Sequence, residues 1–283
     1  MAILLTNGCS FTYGDELRGS RSGFFPDGTM VPPSHHRLTF THHLAQKLAP
    51  SEGYVNLAAN GSSNQKIFRR TTTFLQQTSR EVSHIVIIWS SWGRMELVSP
   101  HDPRTDKIIH IQKENGFNQI IPDHHSGKLA YQLRHWGDGK ETTELQFGSA
   151  LKDFYEHCYS FPTPIVHHLN YMCIMQDLCD AKGIPLVMGV IHPGMWDNIK
   201  SVLTSKRTKD EKELRSTIRF YLGYLRDECK LGLGNKLDMT SVALNTEGCD
   251  LLPFHHPCAR TQEVFADILY DRFVEIEKRN GNE

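Results

Sequence analysis

Ser10 stands where a nucleophile would be useful. It lies two residues beyond Gly8, at the end of the run Ala2-Ile-Leu-Leu-Thr-Asn-Gly-Cys-Ser10. Ile3, Leu4 and Leu5 are the short apolar run of a buried strand, and Asn7-Gly8 is a turn signal that stops it. In an open α/β sheet the ligand crevice lies outside the carboxyl ends of the strands, which predicts Ser10 exposed at the crevice mouth. A serine hydroxyl is a poor nucleophile until an adjacent imidazole takes its proton, so the chemistry requires a histidine held in one tautomer nearby. The competing use of Ser10 is as a helix N-cap, a position that serine favours without any chemistry. Cys9 is adjacent, but neighbouring positions point in different directions, and Cys9 is read as buried. The chain has 16 histidines, five pairs of them consecutive (35–36, 42–43, 124–125, 167–168 and 255–256). No metal-ligand spacing such as His-Glu-x-x-His accompanies them, so no metal is expected and surface histidines explain most.

The elements that would position Ser10 are legible on either side of it. Strands are expected at 2–7, 54–57, 84–89 and 184–191. The run His84-Ile-Val-Ile-Ile-Trp89 is continuous and β-branched, as in a strand covered on both faces. Helical spacing appears over Leu38–Leu48, and from a Ser62 or Ser63 cap to about Gln77 with Ile67, Phe68, Phe74 and Leu75 inward. It recurs from near Ser149 to Gly183, and after residue 258 with Val264, Phe265, Ile268, Leu269 and Phe273 inward. Alternating strands and helices predict an α/β three-layer sandwich, a flavodoxin-like parallel sheet with helices on both faces. Residues 98–147 break that rhythm, so the chain is read as a single domain (1–283) with an insertion there. The insertion is expected at the carboxyl edge of the sheet, with a hairpin of 107–112 and 117–121 around Asn115-Gly116. The Gly-, Ser- and Pro-rich stretch from Asp15 to Pro33 reads as a loop walling the crevice.

The 283 residues can bury one large core, and the formal net charge of −1 supplies no global field for nucleic acid or anionic lipid. No apolar stretch approaches bilayer length and no signal peptide is evident, so the expectation is a soluble, cytoplasmic chain without a membrane or nucleic-acid partner. Seven cysteines without a Cys-x-x-Cys are read as free thiols.

Four blocks, in order, resemble those of the Ser-Gly-Asn-His (SGNH) hydrolase family, also called the GDSL esterase/lipase family. Asn7-Gly-Cys-Ser-Phe-Thr12 is similar to the nucleophile block, with Ser10 on the serine; the Gly-Cys-Ser-Phe-Thr variant is familiar in phage-encoded relatives. Asn56-Leu-Ala-Ala-Asn-Gly61 is similar to the second block, which implies that Gly61 offers its backbone N–H to the oxyanion beside that of Ser10. His256, before Pro257, takes the place of the general base. The third block departs from the pattern: the strand ends Trp-Ser-Ser-Trp-Gly-Arg where the family has an asparagine donor. Ser91 falls nearest that position, and Asn64 or Arg94 are alternatives. The family's aspartate lies three residues before the histidine, where this chain has Pro253, and Asp250 is the nearest carboxylate. Asp250 either completes a triad or leaves Ser10 and His256 as a dyad.

The resemblance implies a serine esterase that needs no cofactor and acts on acetyl or other short-acyl esters of carbohydrates or small molecules through an acyl-enzyme. Loss of one oxyanion donor costs about a hundred- to a thousandfold in turnover. The alternative is therefore a catalytically weakened binding or structural protein on the same fold.

Overall fold

The computed structural model describes residues 2–14, 17, 37–59, 62–92, 95–98, 117–123, 130–132, 162–204, 209–252 and 256–281. Strand β1 (Ala2–Asn7) leads into a four-residue helix α1 (Ser10–Tyr13). Then come α2 (Phe40–Leu48), β2 (Tyr54–Asn56), α3 (Asn64–Gln77) and β3 (Glu81–Trp89). Three strands fall in or beside the expected insertion: β4 (Met95–Val98), β5 (Phe117–Asp123) and β6 (Ala130–Gln132). The chain resumes with α4 (Pro162–Ala181), β7 (Leu186–Val190), α5 (Gly194–Thr204) and α6 (Lys209–Tyr224). It continues through α7 (Met239–Asn245) and α8 (Ala259–Asn280).

The core sheet has the order β2-β1-β3-β7, and every pair is parallel. All its carboxyl ends therefore open at one edge, which is the edge that follows Asn7, Asn56, Trp89 and Val190. Next to β7 a fifth position is held by Leu231 alone. Its N–H donates to Met188 O at 3.1 Å, and its carbonyl accepts from Val190 N at 3.0 Å. The helices lie on both faces, as alternation along β3 requires. His84 packs its ring on Phe273 of α8, whereas Trp89, an odd number of residues further on, packs on His168 of α4. The expected α/β three-layer architecture is the one observed. The core takes Ile3 to Leu5, Ile85 to Trp89 and Leu186 to Met188, all fully buried.

Element boundaries differ from the expected ones for local reasons. β3 begins at Glu81 because Ala2 and Ile3 of β1 extend the ladder to Glu81 and Val82. β7 begins at Leu186 because Pro185 has no N–H to donate. Ser63 is the cap of α3, accepting from Lys66 N, and Thr39 caps α2. β5 pairs antiparallel with β4 and then β6. The expected partner strand 107–112 lies outside the described residues, as do residues 99–116 and 133–161, which hold most of the expected insertion, and residues 18–36, most of the stretch expected to wall the crevice. The six described cysteines are free, with Cys9 fully buried. No described helix is long and apolar enough to cross a membrane.

Gly8 is the tightest point of this frame. A Cβ on it would lie 2.8 Å from Ile88 O and would run into Thr12 Oγ1. Since Ile88 O belongs to the central strand and cannot retreat, Gly8→Ala is expected to cost about 3 kcal/mol, the upper end of ordinary overpacking. The measurement is the urea midpoint at unchanged slope. A shift worth less than about 0.5 kcal/mol would mean that the turn relaxes freely.

Candidate functional site

The site is built from strand ends held in place by amide side chains. Asn7, the last residue of β1, donates from Nδ2 to Ile67 O and to Thr71 Oγ1 of α3, both at 2.9 Å, and its Oδ1 accepts from Gly8 N at 2.8 Å. The chain then turns directly into α1. The cap of α1 is Cys9, which makes no side-chain cap bond, and Ser10 is the first helical residue. The N-cap role that could have explained Ser10 is therefore not one that it fills. Ser10 is also not exposed as the sequence suggested: it is 6 % exposed. The turn is flanked on one side by the loop after β2, where Ala59 N reaches Gly8 O at 3.4 Å, and on the other by α8.

α1 is too short to satisfy its own last carbonyls, which is the usual predicament of a helix end. Two distant amides do so. Asn56 Nδ2 donates to Thr12 O at 3.0 Å, and Gln262 Nε2 of α8 donates to Phe11 O at 3.0 Å. Asn56 Oδ1 also holds Ala58 N at 2.9 Å, which shapes the start of the second block. Gly61 lies outside the described residues.

At the end of β3, Asn64 grips the backbone of Ser90 from both sides: Nδ2 donates to Ser90 O at 2.9 Å, and Oδ1 accepts from Ser90 N at 2.7 Å. Ser91 is half-buried and follows directly, while Arg94 lies outside the described residues. The Ser90 hydroxyl is buried and without a partner among the described residues.

His256 sits on a short arm that doubles back on itself. Leu251 and Pro257 form an antiparallel bridge, and Leu252 N donates to His256 O at 2.7 Å. The His256 ring packs against the Phe11 ring with centroids 5.2 Å apart. The arm is thus brought to the residue that follows Ser10, across 245 positions of sequence. Asp250 is exposed, and its Oδ1 accepts from Leu251 N at 2.7 Å. Its backbone is pinned to α8, with Thr261 Oγ1 donating to Asp250 O at 3.1 Å and Cys258 N donating to the same oxygen at 3.0 Å. Burial pushes the Cys258 thiol up, but hydrogen bonds from Thr261 outweigh it and leave the thiol below its ordinary value.

The buried amides Asn7 and Gln262, with the half-buried Asn56, were not singled out in the sequence. Their one visible signal is position: Asn7 and Asn56 each end a strand, where a side-chain amide can reach the next element. Among the described residues, no cluster of His, Cys, Asp and Glu could hold a metal ion.

The chain matches no protein-family profile and no curated protein. Among solved structures it is similar to that described as "a putative lipolytic protein of G-D-S-L family from Desulfitobacterium hafniense DCB-2", with 10% identity and a TM-score of 0.42, covering 96% of this chain and 99% of that one.

Proposed function

We propose that the chain is a serine esterase of SGNH type that removes acetyl or other short acyl groups from a carbohydrate or small-molecule ester. The observation that carries this reading is the seating of the His256 ring on Phe11, next to Ser10, at the carboxyl edge of a parallel sheet. His256 takes the Ser10 proton as Oγ attacks the acyl carbonyl. The tetrahedral oxyanion is met by the N–H groups of Ser10 and Gly61, and the leaving alcohol departs with the proton from His256. Water, deprotonated by the same imidazole, then attacks the acyl-enzyme and frees Ser10. Asn64 is the best-held candidate for the absent block-three donor, because its amide is fixed against Ser90 and keeps a second N–H beyond the one donated to Ser90 O. Ser91 is the alternative. Asp250, engaged with Leu251, stands as the outer member that steadies the arm more than the imidazole.

A second reading rests on the burial of Ser10, which is 6 % exposed. It makes the chain a binding protein on the same scaffold. A fluorophosphonate probe separates the two. The esterase is expected to carry the phosphonyl adduct on the peptide that contains Ser10 and to turn over p-nitrophenyl acetate. A protein with neither adduct nor turnover on any short-chain ester is the binding protein.

A further inference from the structure

Gln262 is fully buried in the first turn of α8, where a polar side chain must be hydrogen-bonded to be tolerated. Its amide is used at both ends. Nε2 donates to Phe11 O, a last-turn carbonyl of α1, and Oε1 accepts from Phe40 N at 2.9 Å, a first-turn N–H of α2. Each is a group that its own helix leaves unpaired. Its neighbour Thr261, also fully buried, holds the opposite half of the site: its hydroxyl donates to Asp250 O and accepts from Asp250 N at 3.3 Å, at the root of the arm that carries His256. Two consecutive residues of one helical turn thus grip the nucleophile helix and the histidine arm, and no other described side chain of α8 hydrogen-bonds to α1.

We infer that Gln262 is a positioning residue, which sets the distance between Ser10 and His256 by tying the carbonyl of Phe11 to the helix on which the histidine arm is mounted. This rests on the esterase reading above. Gln262 touches neither substrate nor the reacting atoms in this role. It acts through Phe11, and an error of about 1 Å in the placement of a reacting group can cost a hundredfold in rate.

The test uses the full chain with Gln262→Met, which keeps length and loses both hydrogen bonds, and Gln262→Glu, which keeps the acceptor for Phe40 N–H and loses the donor to Phe11 O. Phe273→Leu, buried about three turns further along α8, serves as a control for general loss of stability. The readouts are kcat and KM for p-nitrophenyl acetate and the rate of fluorophosphonate labelling at Ser10. Both Gln262 variants are expected to lose roughly ten- to a hundredfold in kcat and in labelling rate with KM nearly unchanged. Phe273→Leu should keep both rates at comparable or greater loss of urea stability. Wild-type labelling with unchanged rates in Gln262→Glu and Gln262→Met would overturn the positioning role and leave the esterase standing, as would equal losses in Phe273→Leu. A wild type that is not labelled at Ser10 would overturn the esterase reading, and the role of Gln262 with it.

Discussion

Ser10→Ala is expected to reduce kcat/KM for p-nitrophenyl acetate by roughly three orders of magnitude or more, about 4 kcal/mol of transition-state stabilisation. His256→Ala should fall nearly as far. In the proposed mechanism Ser10 and His256 act as one unit, so Ser10→Ala/His256→Ala should be scarcely worse than either single variant. Asp250→Ala should cost far less, because the carboxylate is exposed and already accepts from Leu251 N. Residual turnover from binding and oxyanion donors alone sets the floor in all three. Steady-state assays with each variant check the ranking, and unchanged turnover in Ser10→Ala would end the esterase reading.

The second large effect concerns His168, a group away from the proposed chemistry. It is 1 % exposed, and its ring lies edge-on to Trp89 at 5.0 Å and to Trp92 at 4.3 Å between centroids. Neither ring nitrogen has a hydrogen-bond partner among the described residues. Burial holds its pKa well below the ordinary histidine value, so the folded chain keeps it neutral. Below about pH 6.5 the unfolded chain binds a proton there that the folded chain refuses, so stability falls as pH falls, by up to about 1.4 kcal/mol per unit. Urea titrations at pH 7 and pH 5 should show wild type losing roughly 2 kcal/mol more than His168→Leu over that interval. At pH 7 the Leu variant should be at least as stable, because it removes an unpaired buried N–H that costs about 1–3 kcal/mol. Parallel losses in the two proteins would mean that His168 gains a proton within the fold.

What the sequence made legible follows from how local each signal is. The strands were readable because β1, β3 and β7 are apolar on both faces, which only a covered parallel sheet demands. The cap of α3 was readable to within one residue, as Ser62 or Ser63, because a cap is a contact of three residues, whereas the Thr39 cap fell inside the helix expected from Leu38. The nearness of His256 to the turn that carries Ser10 was legible only through the order of motif blocks, since no local rule joins Phe11 to His256. The burial of Ser10 was not legible, because it depends on Leu57–Ala59 and α8 flanking the turn. Gln262 was invisible for the same reason: on a helix wheel it is one more polar residue, and its buried state depends on two helix ends more than 220 positions away. The pairing of Phe117–Asp123 with Met95–Val98 escaped as well, since the Asn-Gly signal spoke only for its immediate neighbours.

The single bridge at Leu231 has a kinetic meaning. β1, which carries Ser10 at its end, is laddered on both sides by β2 and β3, and releasing it requires both ladders to break. The chain beyond Leu231 reaches the same edge with no continuous ladder, and the histidine arm hangs from Thr261, Cys258 and its own small bridge. Local openings draw on the least-anchored hydrogen bonds first. Ser10, at the end of a strand laddered on both sides, is therefore anchored by more hydrogen bonds than His256. If the proposed esterase reading holds, turnover is expected to be lost on warming before the unfolding of the sheet, a difference read by comparing the temperature profile of p-nitrophenyl acetate hydrolysis with that of far-ultraviolet circular dichroism.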